Sequence, residues 1–354
     1  MRVSAGDGLF PPPSGPIFGS EDRGQGLLGG RIRGFLRLPL GLVHLRPDPR
    51  VFVVGEDVGP RGGVFRATMG LWQKYGEWRV IDSPLAELSI VAIGIGAALN
   101  GFRPICEIQF ADFIHPAFNQ IVNEAARFFY RSGGVYNVPM VIRAPYGGGI
   151  SGGLYHSQSV EAFFAHVPGL KVVIPSNPYD AKGLLKAAIR DPNPVLFFEP
   201  KKGYRLIKGE VPDGDYIVPI GPAKVTREGS DLTVFAYGMM HYYALQAAEM
   251  VAKEGIDVEV VDLRTLAPVD KATILNSVKK TGKALIVYED NLTLGYGAEV
   301  AAILAEEGFE YLDGPVMRLA GPDVPGVPFS PPMQDFFMPS PQKIAEAIRR
   351  LARY

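Results

Sequence analysis

The sequence predicts an α/β protein of two domains, each with a mainly parallel sheet covered by helices. The chain has 354 residues, more than the roughly 100–200 residues of a typical single domain. Short apolar runs rich in β-branched residues alternate with helical patterns along most of the chain, which is typical of parallel sheets. A polar stretch, KKGYRLIKGEVPDGD, divides this alternation into two parts.

Residues 1–49 differ from the rest, and we predict that they lie outside both domains. They are rich in Gly, Pro, Leu and Arg, and 23–47 contains no acidic residue. They show no apolar signal-peptide core, and Pro and Gly interrupt the amphipathic helix that a transit peptide requires. Two interpretations remain open. The segment is a disordered extension, or part of it is not native protein because of a wrong start or reading frame.

The first domain is predicted at 50–205. Its strands are expected at 51–55, 103–108, 140–143, 171–175 and 195–199. The segment PAFNQIVNEAARFFY has apolar residues at spacings of three and four, which predicts a helix that packs one face on the sheet. The segment ELSIVAIGIGAALNG is apolar almost all round, which predicts burial on every side, at a subunit interface or in the centre of the core.

A linker is predicted at 206–220 and a second domain at 221–354. The strands expected in this domain are 232–237, 257–263, 284–289 and 316–320, and the helices are 242–254, 271–279 and 298–306. The closing segment PSPQKIAEAIRRLARY is predicted to form a terminal amphipathic helix.

The bulk composition argues against several classes of partner. The formal net charge is −1, so no basic field is expected to bind nucleic acid. The sequence has no uninterrupted run of about 18 apolar residues, so no membrane span is predicted. Cys106 is the only cysteine, which excludes an internal disulfide and a cysteine-based zinc site. A reducing compartment fits this composition, and we expect the cytoplasm, or the mitochondrial matrix in a eukaryote.

Glu87 is the first candidate for chemistry. It lies in SPLAE, where Pro84 can open a helix, so that the glutamate falls in the first helical turn. An acid there complements the helix dipole, which is a purely structural explanation. The next thirteen residues contain no charge, however, so the helix is predicted to be buried. A buried carboxylate needs a partner, which makes Glu87 a candidate ligand-binding group.

Two further segments carry candidate residues. His156 in LYHSQS follows the glycine-rich run YGGGISGG, and such a loop can approach a ligand closely, although a loop histidine bonded to backbone is the alternative. In EIQFADF, spacing alone places Phe113 in the core and leaves Gln109 at the surface or in a pocket. The run GISGG at 149–153 fits a nucleophile-elbow pattern, but no helix is predicted directly after it, which argues against a serine hydrolase.

The segment AIRDPNP predicts a helix end with oxygen atoms exposed to a cation. The helix must end before Pro192, which leaves the carbonyls around Ala188 and Ile189 without helical partners. Asp191 and Asn193 add hard side-chain oxygens, which suit an alkali or alkaline-earth ion. Ordinary capping of the helix end is the alternative.

The order and spacing of SPLAE, EIQFADF, HSQS and AIRDPNPV over residues 50–354 resemble the β subunits of thiamine-diphosphate-dependent 2-oxo acid dehydrogenases, especially the branched-chain type. The resemblance implies a transketolase-like fold whose first domain holds the pyrimidine half of the cofactor. Glu87 would meet the pyrimidine N1′ atom, and Phe113 and Gln109 would line the cofactor. His156 would lie beside the thiazolium and act in proton transfer and acyl transfer.

The same resemblance implies partners and a metal. An α subunit would hold Mg²⁺ and the diphosphate in an α2β2 heterotetramer, because the GDG at 6–8 lacks the context of a diphosphate motif. A dihydrolipoamide acyltransferase would receive the acyl group of a small 2-oxo acid on its lipoyl. A structural K⁺ would be bound by the four residues of the helix end with a carbonyl near Met140. Pyruvate or acetoin dehydrogenase remains the alternative, and a non-catalytic assembly subunit is a distant one.

Overall fold

The computed structural model describes residues 31–34, 45 and 48–354, and it contains three sheets. The strands are β1 Arg31–Gly34, β2 Val51–Glu56, β3 Val80–Ser83, β4 Arg103–Glu107, β5 Val141–Tyr146, β6 Lys171–Val173, β7 Val195–Pro200, β8 Lys208–Val211, β9 Lys224–Arg227, β10 Leu232–Ala236, β11 Val258–Asp262, β12 Thr265–Ala267, β13 Ala284–Asn291 and β14 Met317–Gly321. The α-helices are Leu71–Tyr75, Glu87–Leu99, Phe128–Arg131, Glu161–Ala165, Pro178–Arg190, Gly203–Leu206, Gly238–Ala252, Lys271–Thr281, Gly297–Glu307, Pro331–Phe337 and Pro341–Ala352.

The first sheet has seven strands in the order β12-β6-β7-β5-β4-β2-β3. All neighbours are parallel except β12, which runs antiparallel to β6. Strands β5 and β7 are buried along their whole length, as expected of parallel strands with both faces covered. Because β12 comes from the second half of the chain, that half completes the edge of the first sheet.

The second sheet has five strands in the order β14-β13-β10-β11-β9, all parallel except β9. Successive side chains along a strand of this sheet pack into two different cores. Val234 packs with apolar residues of the helices Gly238–Ala252 and Pro341–Ala352, whereas Phe235 packs with those of Lys271–Thr281 and Gly297–Glu307. The core that contains Phe235 continues into the first domain, so the two units share apolar packing.

The predicted two-domain α/β fold is confirmed, and all nine predicted strands are present within three residues of their expected bounds. The segment 116–130 differs from the prediction of one amphipathic helix. It contains the end of a 3₁₀-helix, Ala111–Ala117, then a π-helix, Gln120–Ala125, then a short α-helix. Pro116 lies inside the 3₁₀ turn, and proline cannot donate the backbone hydrogen bond that a regular helix needs there.

The predicted linker at 206–220 contains a strand, β8, which pairs antiparallel with β1. Strand β1 and Leu45 belong to the segment 1–49, and most of that segment lies outside the described residues. The two interpretations of this segment therefore stay predictions. Among the residues that the structure describes, no helix combines the length and the apolar character needed to cross a membrane.

The helix Glu87–Leu99 is not buried on every side within this chain. One face packs on the sheet through residues that include Ile90, Val91 and Ile95. The opposite side is open: Leu88 is 45% exposed and Ile93 is 54% exposed, and Leu85 before the helix is 74% exposed. An apolar helix with an open apolar face supports the interface interpretation over a central helix of this chain's own core.

Candidate active site

The candidate residues of the first domain gather at one edge of its sheet. Strands β3, β2, β4 and β5 are adjacent and parallel, so their carboxyl ends meet at the same edge. Glu87 follows β3, Gln109 and Phe113 follow β4, and His156 lies on the loop after β5. Ligands of open parallel sheets bind at this edge.

Glu87 is buried, with 8% of the residue exposed, and lies in the first turn of its helix. No described residue donates a hydrogen bond to its carboxylate. Its neighbours are acidic: burial raises the pKa of Glu56, and the charges of Asp57, Glu87 and Asp82 add to this rise. A buried carboxylate among like charges needs a hydrogen-bond donor, which a ligand can supply. The residues present therefore fit a group that brings a protonated nitrogen to Glu87.

Gln109 and Phe113 extend this edge away from Glu87. The Gln109 amide Nε2 donates to Asp57 Oδ2 at 3.2 Å, which joins the end of β4 to the end of β2. Phe113 is half-buried, whereas spacing alone had placed it in the core. Its ring lies edge-on to the rings of Phe110 and His156, with centroids 5.6 and 5.3 Å apart. These rings supply flat apolar walls beside the carboxylates.

His156 is half-buried and packs edge-on against Phe110 at 4.6 Å between ring centroids. Its loop is anchored by Asp112, whose Oδ1 accepts the backbone N–H groups of Ser157 and Gln158, each at 3.0 Å. The Lys201 ammonium lies 3.8 Å from Asp112 Oδ2, and burial lowers the pKa of Lys201 to about 8. A buried carboxylate thus fixes the position of the histidine.

The second domain contacts the same loop from the other side. Glu289 accepts a hydrogen bond from the Gly148 N–H at 2.9 Å, and burial raises the pKa of Glu289 to about 7. The Ser151 N–H donates to Gln334 Oε1 at 3.3 Å. Ser151 has a φ of 56°, but only the short 3₁₀ turn Gly153–Tyr155 follows, so a nucleophile elbow is absent from this loop. The loop that carries His156 is therefore fixed by both domains.

A buried ionic network beneath the site was missed by the sequence analysis. Arg143 on β5 donates from Nε and a terminal nitrogen to the Glu199 carboxylate, at 2.6 and 2.7 Å, and also pairs with Glu107. Burial alone would lower the pKa of Arg143, but these two carboxylates outweigh it and hold it well above the ordinary value. Tyr204 hydrogen-bonds the same Glu199, and its ring packs against Phe65. The available signal was a charged residue within each of three largely apolar strands, namely Glu107, Arg143 and Glu199.

The residues predicted to bind potassium meet at the end of the helix Pro178–Arg190, where two basic side chains contact part of the set. Arg103 donates to the carbonyls of Ile189 and Asp191, and Lys171 pairs with the Asp191 carboxylate. The Ala188 carbonyl accepts the Asp191 N–H. The predicted Met140 carbonyl accepts the N–H of the first residue of β7. Two side-chain cations therefore contact the oxygens of Ile189 and Asp191. The potassium site stays a prediction.

Two known families together match most of the chain. The family "Transketolase, pyrimidine binding domain" matches residues 43–207, and "Transketolase, C-terminal domain" matches residues 221–344. Among solved structures, the chain is similar to "Split gene transketolase, inactive beta4 tetramer", with a TM-score of 0.72 and 25% identity over 88% of this chain and 95% of that one.

Several curated proteins are more similar in sequence. The 2-oxoisovalerate dehydrogenase subunit beta of Bacillus subtilis is 59% identical over 311 residues, 88% of this chain and 95% of the relative. The mitochondrial 2-oxoisovalerate dehydrogenase subunit beta 2 of Arabidopsis thaliana is 52% identical over 88% of this chain and 86% of its own length. The pyruvate dehydrogenase E1 component subunit beta of Bacillus subtilis is 46% identical over 88% of this chain and 95% of its own length. The resemblance found in the sequence is thereby confirmed, and the chain belongs to the transketolase-like β subunits of thiamine-diphosphate-dependent 2-oxo acid dehydrogenases.

Proposed function

We propose that this chain is the β subunit of a branched-chain 2-oxo acid dehydrogenase. With an α subunit it would decarboxylate small 2-oxo acids such as 3-methyl-2-oxobutanoate and pass the acyl group to lipoyl on a dihydrolipoamide acyltransferase. The observation that carries the proposal is Glu87, a buried carboxylate that no described residue supplies with a donor and that begins an apolar helix at the carboxyl edge of the sheet. We propose the cytoplasm as its location, or the mitochondrial matrix in a eukaryote.

Thiamine diphosphate, when bound, would supply the nucleophilic carbon that adds to the 2-oxo carbon and stabilises the charge left when carbon dioxide departs. Glu87 would accept a hydrogen bond from the protonated pyrimidine N1′ and hold the proton there. Its acidic neighbours favour this role, because a cationic partner lowers their repulsion. Phe113 would contact the pyrimidine ring, and Gln109 would hold the wall in place through Asp57.

His156 would move protons at the reacting carbon and orient the acyl group for transfer. An imidazole suits this work because it exchanges protons near neutral pH. Phe110 and Phe113 fix the tilt of its ring, and Asp112 fixes the loop. The apolar rings also exclude water from one side of the histidine.

The α subunit would hold Mg²⁺ and the diphosphate in an α2β2 heterotetramer. The open apolar face that includes Leu88 and Ile93 supports a subunit interface next to Glu87. We propose that residues 50–205 form the pyrimidine-binding domain and that 206–220 connect it to the domain 221–354, which would assist assembly and docking of the acyltransferase.

The test is carbon dioxide release by the chain co-expressed with its α subunit, with 3-methyl-2-oxobutanoate and pyruvate compared in the presence and absence of thiamine diphosphate and Mg²⁺. We expect cofactor-dependent turnover with a preference for the branched substrate. Preference for pyruvate would keep the reaction and reject the branched-chain assignment. No turnover of either substrate by an assembled, cofactor-loaded tetramer would favour an assembly subunit.

A pair of variants tests the role of Glu87. Glu87→Gln should lower turnover at least 100-fold and leave co-purification with the α subunit unchanged, because an amide cannot accept the proton in the same way. Glu77→Gln is the matched control, since Glu77 is an exposed glutamate of the same domain. Equal activity of the two variants would reject the proposed role.

A further inference from the structure

The two domains meet at a cavity of about 400 Å³ that none of the candidate active-site residues lines. The first domain contributes Gly149 and Lys202 to its wall, and the second contributes Met239, Tyr243 and most of 334–342. Cavities of roughly 300–1,000 Å³ hold small-molecule ligands in proteins. The size of this cavity therefore suits a small molecule, and the polar groups of its wall indicate which kind.

Gln334 supplies a buried hydrogen-bond donor that the chain leaves unused. The residue is 6% exposed, and its Oε1 atom accepts the Ser151 N–H at 3.3 Å, which fixes the orientation of the amide group. No described residue accepts a hydrogen bond from its Nε2 atom. Buried amide donors are nearly always paired, because an unpaired one loses its hydration without compensation. An acceptor atom bound in the cavity would satisfy Gln334.

The helix Pro341–Ala352 begins at the same cavity. The first N–H groups of a helix have no acceptor within the helix, and the helix dipole is positive at this end. The Ser340 hydroxyl accepts the N–H of Lys343 at 3.3 Å, and Pro341 has no N–H. No described backbone carbonyl accepts the N–H of Gln342, which lines the cavity. The helix therefore offers a positive end and a backbone donor to a bound anion.

Lys202 adds a full positive charge from the first domain. Its ammonium lies 5.5 Å from the centre of the Tyr243 ring, and no carboxylate of a described residue forms an ion pair with it. Gly149 leaves room for this side chain, because a Cβ atom there would lie 2.5 Å from Lys202 Cδ and 3.0 Å from Nζ. The cavity thus receives an ammonium, an amide donor and a helix N-terminus from three separate elements.

The rest of the wall is mostly apolar. Met239, Met338 and Tyr243 supply two thioethers and an aromatic ring, which suit the apolar or flat part of a small molecule. Asp335 is the one acidic residue of the wall, and it is exposed. Its carboxylate repels an anion, so its removal should strengthen the binding of one.

We propose that this cavity binds a small phosphorylated molecule, with the phosphate held by the Lys202 ammonium, the Gln334 amide and the first N–H groups of the helix Pro341–Ala352. A phosphate has acceptor oxygens on several sides, so it can serve donors that come from three elements, whereas a carboxylate has two oxygens in one plane. The part that bears the phosphate packs on Tyr243 and the two methionines. This site is separate from the edge of the first sheet that carries Glu87 and His156.

The first test measures binding to the purified full-length chain by titration calorimetry at constant ionic strength. The probes are phenyl phosphate, inorganic phosphate and phenol. We expect saturable binding of phenyl phosphate with a Kd on the order of 0.1–1 mM, and binding at least about 10-fold weaker for each of the other two probes. Absence of saturable phenyl phosphate binding would reject the proposal, and so would equal binding of phenol, which carries no phosphate.

The second test places the phosphate. Lys202→Met should weaken phenyl phosphate binding at least about 10-fold, because it removes the ammonium and keeps the apolar stem. Gln334→Glu keeps the acceptor for Ser151 but replaces the unused donor with a negative charge, and it should weaken binding by at least the same factor. Asp335→Asn should strengthen binding about 2- to 5-fold. Lys208→Met is the matched control, since Lys208 is exposed and does not line the cavity, and its affinity should equal that of the wild type.

Equal affinities of Lys202→Met and Lys208→Met would place the bound phosphate elsewhere and overturn the proposed site. Thermal unfolding of each variant shows whether it is folded. If Gln334→Glu does not fold, Lys202→Met and Asp335→Asn decide the question, because their expected effects have opposite signs. Neither test uses turnover, so a failure of the proposed enzymatic function leaves both of them unaffected.

Discussion

Asp112 offers the sharpest test of how the His156 loop is positioned. Its carboxylate accepts two backbone N–H groups at 3.0 Å and faces the Lys201 ammonium at 3.8 Å, all in a buried setting. Each hydrogen bond to a charged acceptor contributes about 1.5–3 kcal/mol. Asp112→Ala removes both and leaves an ammonium without its partner. We therefore expect a loss of unfolding free energy on the order of 3–5 kcal/mol, measured by urea denaturation of the purified chain.

Asp112→Ala should also lower turnover, because it releases the loop that carries His156. Because the loop after β5 carries His156, its release should lower kcat about 10- to 100-fold in the tetramer, with a small change in KM. Hydrogen exchange of the amides at 147–158 should accelerate, which a loss of stability elsewhere would not produce. Asp112→Asn keeps an acceptor oxygen and the side-chain shape, so it should cost less in both measurements.

A double variant separates the contribution of the two lost hydrogen bonds from that of the unpaired Lys201 ammonium. Lys201→Met in the Asp112→Ala background removes the unpaired ammonium, so part of the lost stability should return, and the two effects should couple by roughly 0.5–3 kcal/mol. Strictly additive effects, or a loss below about 1 kcal/mol in Asp112→Ala, would refute the anchoring role. Unchanged hydrogen exchange at 147–158 would refute it independently.

Four further substitutions have expected outcomes. Arg143→Met leaves two buried glutamates without a counter-charge and should cost about 3–5 kcal/mol in urea unfolding; a cost below 1 kcal/mol would contradict the network. The pKa of Glu289 is raised from 4.5 to about 7, so the folded state keeps a proton that the unfolded state loses, and stability should fall by up to about 3 kcal/mol as pH rises from 4.5 to 7. Glu289→Gln should remove the Glu289 share of that slope in urea titrations at several pH values, and part of the slope should remain because burial also raises the pKa of Asp262 to about 7. Gly94→Ala would clash with the Cys106 sulfur and should cost about 1–3 kcal/mol, whereas Gly96→Ala, open in this chain, should leave chain stability unchanged and weaken co-purification with the α subunit.

The sequence was sufficient for features that depend on local pattern. Apolar runs located nine of the fourteen described strands, and the uncharged helix after Glu87 located a carboxylate that the fold buries. The ionic network around Arg143 was not predicted, because its members lie 36 and 56 residues from it along the chain and meet only when β4, β5 and β7 become neighbours. Strand order is a long-range property that the alternation of residues does not encode.

The helix Glu87–Leu99 shows why a pattern that is correctly interpreted can still leave the structure open. A helix that is apolar all round must be covered on every side, but the sequence does not say whether its own chain or another chain covers it. In this chain one face is covered by the sheet, and Leu88 and Ile93 remain exposed beside the buried Glu87. A partner that covers this face would also remove water from the carboxylate. Assembly would then complete the environment that the cofactor requires, which gives a physical reason for the activity to depend on a second subunit.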